Sequence, residues 1–359
     1  MKNIILVALL CVVYNTQAVA QGCVAIRGAG GSSCSITGHL MHADTSGYTL
    51  NINTRYFKSY KHYVGTEEQK QRVALGTEVI NHTLSMDIGL TKTINKKWSA
   101  AIYIPVISND RSSLYEHANR GRFTTSSFGI GDIRIAAYTW LKDPTKMPKF
   151  NAQVGFGVKL PTGDYRYTDR FTTATGTVIG PVDQSIQLGD GGTGFTLELN
   201  AYQRFGKRLS AYGNFYYLIN PREQNGVSTA RGGTPSATAV LYTTDVMSVP
   251  DQYLIRGGLN YQLRNWTFSG GLRFEAIPAK DLIGGNEGFR RPGEVLTIEP
   301  GITYMFSKLN LFLTVPTAIM RNRTQSYPDQ IRSSITGTNY KGDAAFADYS
   351  INLGFSLRL

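Results

Sequence analysis

Phe346-Ala347-Asp348-Tyr349-Ser350-Ile351-Asn352-Leu353-Gly354-Phe355-Ser356-Leu357-Arg358-Leu359 closes the chain. Tyr349, Ile351, Leu353, Phe355, Leu357 and Leu359 form an apolar set, and Ser350, Asn352, Gly354, Ser356 and Arg358 form a polar set between them. Successive side chains of a β-strand point to opposite faces, so this stretch reads as a strand with one oily and one wet face. It is long enough to cross a bilayer at a tilt and ends on an apolar residue, which is how transmembrane β-barrels of the outer membrane finish.

Upstream, the same period of two recurs until twelve segments are counted. In Phe150–Pro161 the apolar set is Phe150, Ala152, Val154, Phe156, Val158 and Leu160, alternating with Asn151, Gln153, Gly155, Gly157 and Lys159. Tyr48–Lys58, Ile80–Leu90, Trp98–Val106, Ile133–Leu141, Phe195–Phe205, Leu209–Ile219, Tyr253–Leu263, Trp266–Ala276, Leu296–Phe306 and Leu309–Val315 repeat the scheme. A strand of about eleven residues, rising ~3.3 Å each and tilted near 45°, spans an apolar band of roughly 25 Å. The predicted fold is all-β: one transmembrane antiparallel barrel of about twelve strands.

The connections alternate in length. Asn95-Lys96-Lys97, Lys142–Lys149, Gly206-Lys207-Arg208, Arg264-Asn265 and Ser307-Lys308 are short and are predicted to be periplasmic turns. Phe57–Thr77, Ile107–Gly129, Thr162–Gly192, Asn220–Asp251, Ile277–Gly293 and Pro316–Ala345 are long, polar and predicted to be extracellular. Trp98, Phe205, Trp266 and Phe306 flank the short turns, and Tyr56, Phe195, Tyr217, Tyr253 and Phe274 lie toward the long loops, as interfacial girdles require.

At the N-terminus, Met1-Lys2-Asn3, the apolar run Ile4–Val13 and the small-residue site Ala18-Val19-Ala20 read as a signal peptide over residues 1–20. Residues 21–47 are then a periplasmic segment and 48–359 the barrel, which places the chain in the bacterial outer membrane. Cys23 and Cys34 remain after cleavage, in a compartment where disulfides persist. Three readings stand: a Cys23–Cys34 disulfide, two free thiols, or acylation of Cys23. The formal net charge of +12 does not point to nucleic acid in an exported chain. The expected partners are outer-membrane lipids, lipopolysaccharide phosphates, the barrel-assembly machinery and a small-molecule solute.

The face opposite the lipid carries Arg55, Asp87, Tyr103, Arg134, Tyr138, Lys159, Glu198, Tyr202, Arg204, Tyr212, Tyr216, Arg256, Arg273, Glu275, Glu299, Asp348 and Arg358. A charge facing lipid at mid-depth costs ~2–4 kcal/mol, so this sorting fixes each strand's register. Mixed signs inside imply salt-bridged cross-links or a selective pore. The turn at Arg264-Asn265 sets Leu263 opposite Trp266 and brings Arg256 opposite Arg273. Like charges across a strand pair repel, so an anion is required nearby; Glu275 is diagonal to Arg256, and Glu299 lies on the next strand. This cluster is read either as part of a solute path or as a structural ion network. Tyr103, Tyr138, Tyr202, Tyr212 and Tyr216 offer apolar faces with hydroxyl handles to a solute, or pack the lumen.

Gly129-Ile130-Gly131-Asp132-Ile133-Arg134, Val154–Asp164, Leu188-Gly189-Asp190-Gly191-Gly192-Thr193-Gly194 and Phe195–Phe205 resemble the outer-membrane transporter family associated with the meta-pathway of phenol degradation. The resemblance covers roughly the middle third of the chain and implies a channel or transporter loosely akin to the long-chain fatty acid transporters. Arg55–Lys61 also looks like barrels of Bacteroidetes-type bacteria. Pro161, Thr162, Gly163 and Asp164 read as a strand terminator: Pro gives up a ladder donor, Gly163 permits positive φ, and Asp164 caps the turn. The rival is a loop folded inward as a constriction, lined by Asp164 and Lys159.

An enzymatic reading needs a Ser-His pair on the lipid-facing wall. His82 falls on the outward register with Leu84 and Met86, but no outward Ser at its depth has an acid or carboxamide to orient the imidazole. His42, His62 and His117 lack metal-ligand spacing, and no glycine loop is placed to cradle phosphate, so no metal or cofactor is expected. The sequence therefore points to a channel or transporter for small hydrophobic or aromatic molecules. The alternatives are a non-conducting barrel for envelope structure, adhesion or export assembly, and an outer-membrane lipid hydrolase.

Overall fold

The computed structural model describes residues 47–359. The signal-peptide, periplasmic-segment and Cys23/Cys34 readings concern residues outside that range. Twelve strands run in chain order: β1 Gly47–Val64, β2 Ile80–Thr93, β3 Trp98–Ser113, β4 Phe123–Ile130 continued by Arg134–Trp140, β5 Phe150–Lys159 and β6 Gly194–Arg204. They continue as β7 Leu209–Ile219, β8 Gln252–Leu263, β9 Trp266–Ile277, β10 Gly293–Met305, β11 Leu309–Thr314 continued by Thr317–Asn322, and β12 Ala344–Arg358. Each pairs antiparallel with its neighbour in sequence, and β12 returns to β1 with Ile52 opposite Phe355 and Arg55 opposite Asn352. The closed twelve-stranded barrel has no free edge, which satisfies every ladder inside lipid.

The alternation read from the sequence becomes two surfaces. Leu197, Leu199, Phe156, Ile255, Leu259, Leu272 and Leu353 are exposed on the outside, and Arg134, Glu198, Arg256, Arg273, Glu275, Glu299 and Asn352 are buried within. Only the apolar band carries this signal, so the strands run further than the sequence indicates on the side of the long loops. β3 continues through Ser113, and Phe123–Ile130, expected to lie in a loop, pairs with it from Ser113↔Phe123 to Val106↔Ile130. Likewise Thr317–Asn322 is a strand and Tyr327–Thr336 a helix within the stretch expected to be a loop. In this ribbon the outward Thr124 and Ser126 are polar and exposed and the inward Ser113, Thr125 and Ser127 are polar and buried, so pairing persists without apolar alternation.

β4 breaks at residues 131–133, and the Pro161-Thr162-Gly163-Asp164 turn staples the break. The Ile133 amide donates to Thr162 Oγ1 (2.8 Å), which in turn donates to the Gly131 carbonyl (3.0 Å). Asp164 caps its turn by accepting from the Arg166 amide (2.9 Å). Gly163 does not adopt positive φ, contrary to expectation. A side chain there would meet the backbone of Leu188 and Gly189 at 2.8–2.9 Å, so close chain approach is what requires glycine.

Lumenal aromatics lie flat against glycines on the next strand. Tyr138 faces Gly155, Tyr103 faces Gly89, and Tyr212 faces Gly258. A Cβ on Gly155 would stand 2.5 Å from the Tyr138 ring. The missing side chain lets the ring lie along the wall instead of projecting across the lumen.

Candidate transport pathway through the lumen

Arg256 and Arg273 face each other across β8 and β9. The acid between them is Glu299 of β10, 3.7 Å from Arg256 and 3.8 Å from Arg273. Glu275 is diagonal to Arg256, as expected, and also pairs with Arg273 on its own strand (2.8 Å) and with Arg55 of β1 (3.3 Å). Glu275 is fully buried, so these contacts supply the polar partners its carboxylate needs away from water.

A second cluster stands on β3–β7. Arg134 is ion-paired with Glu198, which also accepts from the Tyr138 hydroxyl (3.0 Å), and the Tyr103 and Tyr138 hydroxyls are hydrogen-bonded (3.0 Å). The Arg134 guanidinium lies 4.2 Å from the Tyr103 ring centre and 5.6 Å from that of Tyr216, within cation–π range. Lys159 is bound by Asp132 (3.5 Å) and by Asp190. Tyr202 belongs to neither cluster; its hydroxyl donates to the Met147 carbonyl (2.9 Å), tying β6 to the short connection between β4 and β5. Tyr212 covers the glycines of β8 and β9.

These groups enclose a chamber of about 210 Å³. Its wall includes Arg55, Arg134, Lys159, Arg256, Arg273 and Glu299, together with Phe57, Tyr103, Leu188, Tyr216, Leu218 and Phe312. Every cation in the wall has a carboxylate partner. The roof is the inward-folded run 184–190 of the loop between β5 and β6, of which Gln184, Ser185, Gln187, Leu188, Gly189 and Asp190 line the chamber. Lys159 thus lines an inward loop, while Asp164, the other residue considered for that role, serves its own turn.

Above the roof lies a vestibule of about 480 Å³, walled by the long loops and sharing Gln184 and Arg291 with the chamber. The partition is latched. Asp183 accepts two hydrogen bonds from Arg291 (2.7 and 2.8 Å) and pairs with Arg111 (3.4 Å) and Arg231 (3.8 Å), while Gln184 donates to the Ser248 carbonyl (2.8 Å). Burial alone would raise the Asp183 carboxyl, but Arg111, Arg291 and Arg231 outweigh it and hold it well below the usual carboxylate range.

A family model described as "Putative MetA-pathway of phenol degradation" matches residues 68–325, more than half of the chain. The chain belongs to this family. None of the curated proteins matches it. Among solved structures, an outer membrane channel from Pseudomonas putida F1 superposes with a TM-score of 0.57 at 10% identity, covering 88% of this chain and 96% of that one. That likeness shows the barrel fold. A monoaromatic hydrocarbon channel aligns with a TM-score of 0.42 at 10% identity, covering 96% and 98% of the two chains. A toluene transporter of P. putida aligns with 0.43 at 8% identity, covering 90% and 92%.

In this member of the phenol-degradation family the outward histidine is partnered by a tyrosine. His82 Nδ1 is 2.9 Å from the Tyr56 hydroxyl of the adjacent strand, with the two rings stacked. His62 is buried between the Val79 amide, which donates to Nε2 (2.8 Å), and Asp343, 2.9 Å from Nδ1. His117 stacks on Phe171 and accepts from the Thr172 amide (3.2 Å). The sequence reading missed the loop groups Arg111, Glu116, Asp183, Arg231 and Arg291. The available signal was the recurrence of arginine in loops that have no apolar period to satisfy.

Proposed function

We propose that the barrel is a channel of the bacterial outer membrane for small solutes with aromatic or otherwise apolar bodies. The observation that carries this reading is the pair of cavities in series, vestibule and chamber, inside a closed barrel whose lumenal rings are folded flat onto glycines. Paired charges leave the chamber nearly compensated, which suits neutral or weakly polar solutes better than small ions, and Tyr103, Tyr216 and Phe312 supply flat faces. The family's association with phenol degradation agrees with aromatic cargo. Export by the N-terminal signal peptide, insertion by the barrel-assembly machinery and contact with lipopolysaccharide belong to the same reading.

The Arg55–Glu275 bridge favours a second reading, a barrel cross-braced for rigidity that conducts nothing. Proteoliposome swelling in isosmotic phenylalanine, an aromatic solute that lipid alone excludes, separates the two. Swelling faster than protein-free liposomes is expected for the channel. Swelling equal to the protein-free control rejects conduction and leaves the braced barrel.

A further inference from the structure

Arg332 stands apart from the other vestibule arginines. It projects from the helix Tyr327–Thr336, and its guanidinium lies 3.7 Å from the ring centre of Tyr340 and 5.5 Å from that of Tyr242, which belongs to a different loop. Both tyrosines and Arg332 line the vestibule.

The vestibule's acids are each engaged elsewhere. Glu116 is held by Arg111 (2.6 Å) and Arg231 (2.8 Å), Asp183 by Arg291, Asp329 by Arg323 (3.1 Å), and Asp343 by Arg72 and His62. Arg332 has no ion pair among the described residues. Six arginines line this cavity against four carboxylates. Val182, Met247, Phe289, Pro328 and Ala344 give the rest of the wall an apolar character.

We propose that the vestibule is a capture site for small aromatic carboxylates, with Arg332 as the anion receptor. This deepens the channel reading and rests on it for its role in transport. The guanidinium presents a planar fork of N–H donors that matches a carboxylate bidentately, and the stacked tyrosines hold that plane fixed before a ligand arrives. The ring of the solute packs on the apolar wall. A cavity of about 480 Å³ accommodates one substituted benzene ring with its carboxylate. Neutral aromatics lack the ionic contact, and small aliphatic anions lack the apolar one, so both bind more weakly.

The test is isothermal titration of the full-length protein in detergent with sodium benzoate, benzyl alcohol and sodium acetate. Benzoate is expected to bind at least tenfold more tightly than either of the others. Arg332→Gln is expected to abolish that preference, and Arg332→Lys to retain part of it as a point charge without the fork. Resistance of each variant to unfolding in SDS without heating verifies the fold, and Ser334→Ala, at an exposed position on the same helix, serves as a neutral control. Equal binding of benzoate and benzyl alcohol, or unchanged benzoate affinity in folded Arg332→Gln, overturns the inference. Conduction plays no part in this measurement. A barrel that swells liposomes but does not prefer benzoate therefore sinks this inference alone, and one that prefers benzoate without swelling liposomes sinks the channel reading alone.

Discussion

Arg55 of β1 and Glu275 of β9 meet at 3.3 Å although β10, β11 and β12 lie between their strands. The pair ties one side of the barrel wall to another through the lumen. Glu275 serves Arg273 as well, so a single carboxylate offsets two buried cations.

Glu275→Gln therefore removes from Arg55 and Arg273 a carboxylate that both of them pair with. Breaking a buried ion pair from one side costs about 3–5 kcal/mol. The folded band on an unheated SDS gel should disappear at a clearly lower temperature than in the parent. Arg55→Gln combined with Glu275→Gln should recover part of the loss; if the double variant is no better than Glu275→Gln, the bridge is not the stabilising contact.

The flat seating of Tyr138 on Gly155 predicts a coupled pair. Gly155→Ala places a methyl 2.5 Å from the ring and should destabilise the barrel by about 1–3 kcal/mol in urea unfolding. Removing the ring with Tyr138→Ala should make the alanine at 155 nearly neutral, a non-additivity that a double-mutant cycle reads directly. Additive losses contradict the packing described for the lumen wall.

Asp183 latches the partition through Arg291, Arg111 and Arg231. In Asp183→Asn these arginines lose their shared counter-charge, and the segment above the chamber should loosen. The expected outcome is faster trypsin cleavage at Arg231 in intact proteoliposomes, together with higher single-channel conductance. Parent-like cleavage and conductance would show that the segment is held by its apolar contacts alone.

The loop of Asp343 should respond to acid. Burial raises this carboxyl, but the His62 hydrogen bond and the Arg72 charge prevail and hold it at about 2. An unfolded aspartate titrates near 3.9, so the folded loop gains stability that is complete above about pH 4 and is lost as pH falls through about 2. Pepsin should leave the stretch 323–343 intact at pH 4 and cut it near pH 2, whereas Asp343→Asn should be cut at both. Equal resistance of parent and variant at pH 4 removes the claim.

The legible part of this fold is the part that lipid enforces. Leu209–Ile219 has the bounds read from its alternation, and Arg256 opposite Arg273 followed from counting outward from a two-residue turn. Resolution fades where both faces of a strand carry polar residues: Phe123–Ile130 pairs as a strand without an apolar period, with Thr125 and Ser127 buried and Thr124 and Ser126 exposed. Contacts between remote segments were beyond reach for another reason. Register along β9 says where Glu275 points, but not that a side chain 220 positions earlier reaches it. Within the inward run 184–190 only Ile186 and Leu188 are apolar and buried, too sparse to form a pattern.

The central claim is that solutes pass through the chamber, and Asn352 tests it because it lines that chamber while its neighbour Ile351 faces lipid. Asn352→Cys and Ile351→Cys would each be reconstituted, treated with a bulky methanethiosulfonate reagent and assayed for phenylalanine-driven swelling against the treated parent. Modification at 352 should bring swelling down to the protein-free rate while modification at 351 leaves it at the parent rate. Undiminished swelling after complete modification at 352, or an equal block at 351, would contradict a path through the lumen.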